Sequence, residues 1–304
     1  MPPCSQGAVM RSVFSTYHPI INFGFFAAVI GTGIFLQHPV FITIAVIASL
    51  TYALMLGGKG TLKFALCFVL PMIIVFAIVN PLMNPRGSTV LFYTKYSQVT
   101  MEALIYGVIA GFMLATVLLW FSCYNKVMTS DKFVYLFGRI MPAISLIFSM
   151  VMRFVPNFKT QIQKISDAQK CIGRDVSNGT KKEKTRHGMK ILNIMFTWAL
   201  ENAIDSADSM RSRGYGLKNR SAFSIYRFDA RDTLAAIFLA AMTVIVLAGA
   251  ACGKCFIEFY PEIVMAEFDI WTMIVYMAYV LLCFFPIAVE VKEVAIWKLT
   301  QSKI

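Results

Sequence analysis

Charge is what this chain lacks. Of its 304 residues, 14% are Asp, Glu, Lys or Arg, while 58% are hydrophobic and the mean hydropathy is +0.67. A soluble domain carries roughly 25% charged residues. The deficit is concentrated in six windows with no charged residue at all: Ile20 to Leu36, Val40 to Gly58, Phe64 to Leu82, Ala103 to Tyr124, Thr233 to Ala251 and Ile270 to Val289. Each approaches the roughly 20 residues that a helix needs to cross the hydrocarbon core. The scarcity therefore excludes a soluble globular protein and predicts an all-α polytopic membrane protein of about six spans. A seventh window, Phe133 to Val155, is interrupted by Arg139 and Arg153. Arginine at mid-bilayer costs at least about 2.5 kcal/mol, so this window reads as an interfacial or half-inserted helix.

Catalytic equipment is also missing. There are three histidines, His18, His38 and His187, and the first two each precede a proline near a membrane interface. They read as turn or interface residues. Gly57-Gly58-Lys59-Gly60-Thr61 lacks the upstream glycine of a phosphate-binding loop, and its lysine is followed by glycine. There is no zinc-protease helix, no serine-hydrolase elbow, and no pair of carboxylates within an apolar window. The seven cysteines are scattered. Cys252 and Cys255 would need two further ligands to hold zinc, and read instead as thiols or a local disulfide at a helix end. No internal repeat marks the chain as a self-sufficient permease. Met1 to Pro19 has no compact apolar stretch with a cleavage site, so it does not read as a signal peptide.

The charge that is present is unevenly placed. Residues 157 to 231 hold 15 Lys and Arg against seven Asp and Glu, whereas 252 to 269 holds one lysine against four acids. Because Lys and Arg favour the cytoplasmic side, the basic segment and both termini are expected inside. This divides the chain into a four-helix membrane region, 1–124, an interfacial and coupling region, 125–231, and a two-helix membrane region, 232–304. The basic surface accounts for attraction to a lipid bilayer. It carries no nucleic-acid-reading module.

Within the basic segment, Phe158, Ile162, Ile165 and Ile172 fall at helical spacing, with Pro156 in position to start that helix and Gly173 to end it. Residues 174 to 189, with Asn178-Gly179 and a basic run, read as a loop. A second helix is expected over roughly Met189 to Arg213. Its apolar first half contains Ile191, Leu192, Met195, Phe196 and Trp198, and its second half is polar and rich in small residues. It closes on Ser209-Met210-Arg211-Ser212-Arg213-Gly214-Tyr215-Gly216. Arg211 and Arg213 suit the negative end of the helix dipole, and Asp208 is placed to pair with Arg211. Charge compensation is the plain reading of both arginines. The other reading is a positive, rigid tip for a soluble partner. Glu201, Asp205 and Asp208 share one helix face, which would serve a membrane enzyme acting on lipid if they held a cation.

The Ser209 to Gly214 run resembles the second Ala-Arg-Gly-type signature of the transmembrane (T) component of energy-coupling factor transporters, with Ser212 in place of alanine. Trp198-Ala199-Leu200-Glu201, Tyr215-Gly216-Leu217, Tyr17-His18-Pro19 and His38-Pro39 are similar as well. The first signature is matched by Ala168, Gln169 and Gly173, but Ile172 stands where the family has arginine, and Arg174 follows the glycine. The resemblance implies a non-catalytic subunit in the plasma membrane of a prokaryote. It also implies two cytoplasmic ABC ATPases, which bind ATP and Mg themselves, and a small membrane-embedded substrate-binding (S) component for a vitamin or transition-metal ion. The docking residues it implies are Ala168, Gln169, Gly173, Arg174, Ser209, Met210, Arg211, Arg213 and Gly214. No cofactor or metal is implied for this chain.

Overall fold

A computed structural model of the chain describes residues 12–84, 87–93, 98–138, 142–174, 180–215, 226–253, 255, 257–260, 264–265 and 269–301. Met1 to Arg11, Arg86, Lys95, Arg139, the Asn178-Gly179 turn, Gly216, Leu217 and Lys254 lie outside them. The described residues form nine α-helices: α1 (Pro19–Phe35), α2 (Pro39–Phe64), α3 (Leu70–Met83), α4 (Met101–Val127), α5 (Ser130–Gly138), α6 (Pro142–Cys171), α7 (Lys181–Ser212), α8 (Ala230–Ala251) and α9 (Ile270–Gln301). Two short hairpins complete the order. β1 (Val90–Tyr93) pairs with β2 (Gln98–Thr100), and β3 (Ile257–Glu258) with β4 (Val264–Met265), both antiparallel. Neither hairpin is foreseen in the sequence pattern.

Among the described residues, five stretches are long and apolar enough to span a membrane: Pro39–Gly58, Gly60–Met83, Met101–Val127, Ala230–Ala251 and Ile270–Gln301. The helix over the first window, α1, is apolar but has only 17 residues. The first two of these spans are not separated by a loop. They meet at a kink at Gly58, whose φ of 49° and ψ of −133° favour glycine. A single π-helical turn, Ala65–Val69, then leads into α3.

The chain forms two compact units, Met1–Lys132 with Tyr226–Ile304, and Phe133–Ile225. In the first, α4 packs on α1 and α2, α2 on α9, α9 on α8, and α8 on α1. These contacts close a ring around a core of Phe25, Phe26, Tyr52, Trp120, Tyr279 and Leu282. Helix α3 lies outside the ring, on α4. Their backbones meet over two glycines one turn apart. A Cβ on Gly107 would lie 2.9 Å from the Phe76 carbonyl oxygen, and one on Gly111 would lie 3.1 Å from the Ile73 Cα. Small residues at this spacing let membrane helices approach closely. Gly111→Leu should force α3 away from α4 and destabilise the protein by about 1–3 kcal/mol. Thermal unfolding in detergent checks it, with Gly111→Ala falling between the variant and wild type.

In the second unit, α6 is one helix of 30 residues. The interfacial window expected over Phe133 to Val155 falls partly on α5 and partly on α6, and its second part continues through Pro156 into the first amphipathic helix, so Pro156 lies inside α6 rather than at a helix start. The loop expected over 174 to 189 is also shorter. Helix α7 begins at Lys181, so the basic run through His187 is helical. Its start is set by a capping box. Thr180 caps the first turn, and the Glu183 carboxylate accepts from the Thr180 backbone N–H at 2.9 Å. That hydrogen bond, foremost, holds the Glu183 pKa below the usual carboxylate value.

Candidate functional site

Helices α6 and α7 end in the same way. At the end of α6, the Gly173 N–H donates to the Lys170 carbonyl at 2.9 Å and the Arg174 N–H to the Gln169 carbonyl at 2.9 Å. At the end of α7, the Gly214 N–H donates to the Arg211 carbonyl at 3.0 Å and the Tyr215 N–H to the Met210 carbonyl at 3.1 Å. These paired bonds define a Schellman motif, which requires a left-handed residue at the glycine position. Gly173 and Gly214 supply it, with φ of 75° and 74°. The shared geometry aligns Gln169 with Met210, Lys170 with Arg211, Cys171 with Ser212, and Ile172 with Arg213.

The same backbone presents different chemistry at the two ends. On α7, Arg211 and Arg213 are exposed and have no side-chain partner among the described residues. The pairing expected between Asp208 and Arg211 is not formed. Ser212 folds back, its hydroxyl donating to the Ser209 carbonyl at 2.9 Å. On α6, Lys170 is engaged by Asp167 at 3.5 Å, and Ile172 is 65% exposed where α7 has arginine. Ala168 is exposed, and Gln169 is half-buried with its Oε1 lacking a partner among the described residues.

Helix α7 carries two apolar stripes. Ile191 and Met195 are buried, and Trp198 meets Phe158 of α6 edge-on at 5.6 Å. Met189, Leu192, Phe196 and Leu200 form the other stripe, with Phe196 68% exposed. Such a stripe on a charged helix marks an interaction surface. Among the described residues no group of three or more His, Cys, Asp or Glu is arranged to hold a metal ion, so Glu201, Asp205 and Asp208 do not form one. Cys252 and Cys255 are free thiols.

The first unit holds both ends of the connection to this region through one short segment, Ser12 to His18. At the outgoing end, Lys132 is 5% exposed and donates to the Ser15 carbonyl and to the Val127 carbonyl at 3.0 Å. The Asn22 amide, oriented to satisfy both its groups, accepts from Lys132 at 2.9 Å and donates to the Phe14 carbonyl at 3.0 Å. Burial pushes the Lys132 pKa down to about 8. At the returning end, Phe228 lies 4.3 Å from the His18 ring, and the Arg231 guanidinium sits 4.4 Å over Tyr17. Sequence pattern gives no sign of this convergence, because the partners are more than a hundred residues apart.

The two histidine-proline pairs are helix starts. His18 Nδ1 accepts from the Ile20 N–H at 3.3 Å, and His38 Nδ1 from the Val40 N–H at 3.4 Å, with proline in the first turn of each helix. Capping requires the unprotonated nitrogen. Burial lowers both pKa values and so favours that form.

A ring of apolar helices, together with two long helices that end in matched glycine turns, one of them exposing two arginines, defines a polytopic membrane protein whose distinguishing parts are helix ends. The family described as CbiQ, cobalt transport protein, matches residues 14–225, and the chain belongs to it. Curated relatives are named energy-coupling factor transporter transmembrane protein EcfT. The Lactococcus lactis protein is 26% identical over 212 residues, covering 65% of this chain and 79% of the relative. The Streptococcus equi protein is 28% identical over 206 residues, covering 62% and 76%. The Macrococcus caseolyticus protein is 31% identical over 105 residues, covering 34% and 40%.

Proposed function

We propose that this chain is the transmembrane coupling component of an energy-coupling-factor importer. In this reading two ABC ATPases on the cytoplasmic side bind ATP and Mg, and the ends of α6 and α7 dock on them. ATPase closure moves the helices. The open apolar stripe of α7 passes the motion to a membrane-embedded S component, which releases a vitamin or a transition-metal ion inside. The chain itself catalyses nothing, and its termini lie in the cytoplasm.

The observation that carries this reading is the matched pair of glycine-terminated helix ends, one of which presents two arginines with no side-chain partner among the described residues. Charge compensation alone would favour such arginines by about 0.3–1 kcal/mol each. It gives no reason for the exposed Ile172 at the equivalent position or for the open stripe. A guanidinium, by contrast, offers a fixed fork suited to carboxylates on a partner. The names of the EcfT relatives support the same assignment.

The test is a pull-down of the tagged chain from detergent-solubilised native membranes, with co-purifying chains identified by mass. Two ATPase subunits and a small hydrophobic protein are expected, and the small protein would indicate the substrate. Recovery of this chain alone, under conditions that preserve other membrane complexes, would overturn the assignment.

A further inference from the structure

A groove of about 450 Å³ runs between α8 and α9 beside the Ser12–His18 segment. Its walls are largely apolar, formed by Leu234 and Phe238 of α8 and Phe285 and Val289 of α9. Its mouth is charged. Arg231 lies in the first turn of α8, and Lys292 lies just beyond the uncharged stretch of α9 that ends at Val289. Both cations therefore stand where hydrocarbon gives way to headgroups, and Glu293 lies beside them.

Arg231 is held in place without being neutralised. Its guanidinium rests over the Tyr17 ring at 4.4 Å and donates to Thr16 Oγ1 at 3.4 Å. Among the described residues, Arg231, Lys292 and Glu293 form no ion pair. Each of the two neighbouring acids accepts a backbone hydrogen bond, and the second oxygen of Asp232, Oδ1, is buried without a partner among the described residues. Asp232 accepts from the Asp229 N–H in the α8 cap at 3.5 Å, and Glu290 accepts from the Phe14 N–H at 3.3 Å. The mouth thus offers two cations and one carboxylate, none of them in an ion pair among the described residues, beside an apolar groove.

We propose that this groove binds one phospholipid molecule whose headgroup carries a hydrogen-bond donor. The phosphate sits between Arg231 and Lys292, the donor faces Glu293, and an acyl chain lies along Leu234, Phe238 and Phe285. A planar guanidinium favours a phosphate oxygen pair, and a lysine beside it adds a point charge. Phosphatidylcholine offers the phosphate without the donor. Diacylglycerol offers a donor without the phosphate. The occupant is therefore distinguished from generic bilayer lipid by its headgroup.

Native mass spectrometry of the delipidated chain in detergent tests the site, with phosphatidylglycerol, phosphatidylcholine and diacylglycerol added separately. The assay uses no partner protein, so its outcome is independent of the transport reading. One phosphatidylglycerol should bind about tenfold more tightly than phosphatidylcholine, the factor expected for one charge-assisted contact, and by a larger factor than diacylglycerol, which loses both phosphate contacts. Lys292→Gln, at an exposed position without a partner among the described residues, should cost about tenfold, and Arg231→Gln a similar factor. Leu234→Trp keeps every charge but adds bulk to the apolar wall, and should also reduce binding. Glu293→Gln should narrow the gap between phosphatidylglycerol and phosphatidylcholine. Equal binding of all three lipids would overturn the proposal. So would undiminished phosphatidylglycerol binding by Lys292→Gln together with Leu234→Trp, which would leave the groove to a protein segment instead.

Discussion

Arg213→Glu should abolish ATPase association and ATP-dependent uptake while leaving insertion and folding intact. The side chain is exposed, has no partner among the described residues, and occupies the last position before the left-handed Gly214. Removing it from the isolated chain should therefore cost only its dipole contribution, about 0.3–1 kcal/mol. Docked against a partner carboxylate, truncation of one member of a charge pair costs about 2–5 kcal/mol, and reversal adds like-charge repulsion. The two readings of Arg213 thus separate by magnitude. A thermal melt of the detergent-solubilised variant should stay close to wild type while the pull-down loses its ATPases. Arg213→Lys should recover part of the association, because it restores charge without the fork. Normal assembly and transport by Arg213→Glu would remove the arginine tip from the coupling mechanism. The equivalent change on α6, Ile172→Glu, should have a smaller electrostatic effect, because no cation is lost there.

How much of this was legible in the sequence depends on whether the cause was local. The ends of α6 and α7 were, because a Schellman turn is fixed by one residue able to take positive φ, and Gly173 and Gly214 mark both. The uncharged windows located the spans for a similarly direct reason. The start of α7 was written in the sequence as Thr180-x-x-Glu183 and was obscured by the lysine-rich run that follows, whose composition resembles a loop. Pro156 misled in the opposite direction. It normally ends or kinks a helix, yet α6 continues through it, and Thr160 Oγ1 bonds back to the Pro156 carbonyl at 3.1 Å. The contacts of Lys132 and Arg231 were out of reach. Ser15 lies 117 residues from Lys132, and Thr16 lies 215 from Arg231, so nothing in local spacing links them. The aligned position of Ile172 and Arg213 lies between these cases. The glycines set the register, but only the matching hydrogen bonds make the two ends equivalent.

Phe14→Ala should destabilise the first unit by about 3–5 kcal/mol. Phe14 is 0% exposed and lies at the centre of a cage of rings: Phe25 at 5.3 Å, Tyr17 at 5.8 Å, Phe285 at 6.1 Å, Phe26 at 6.3 Å and Tyr52 at 6.5 Å. Several are edge-to-face, a geometry worth about 0.5–1.5 kcal/mol per pair beyond burial. Truncation would leave a void that α1, α2 and α9 cannot jointly close, because Tyr52 is also tied to Ser12 at 3.3 Å. The damage should extend beyond the cavity. The backbone of Phe14 is bonded to Glu290 and Asn22, the latter in turn to Lys132, and the same segment carries the His18–Phe228 and Tyr17–Arg231 contacts. Loosening it should therefore raise hydrogen exchange at both 130–132 and 226–231, the two points where the chain leaves and rejoins this unit. Phe14→Leu, which keeps most of the volume but none of the ring geometry, should lose less stability and leave exchange at those junctions nearer wild type. If Phe14→Ala melted within about 1 kcal/mol of wild type, a contact energy far below the cavity range, the segment would not be the anchor its geometry describes. Changed exchange at one junction and not the other would show that the two are held independently.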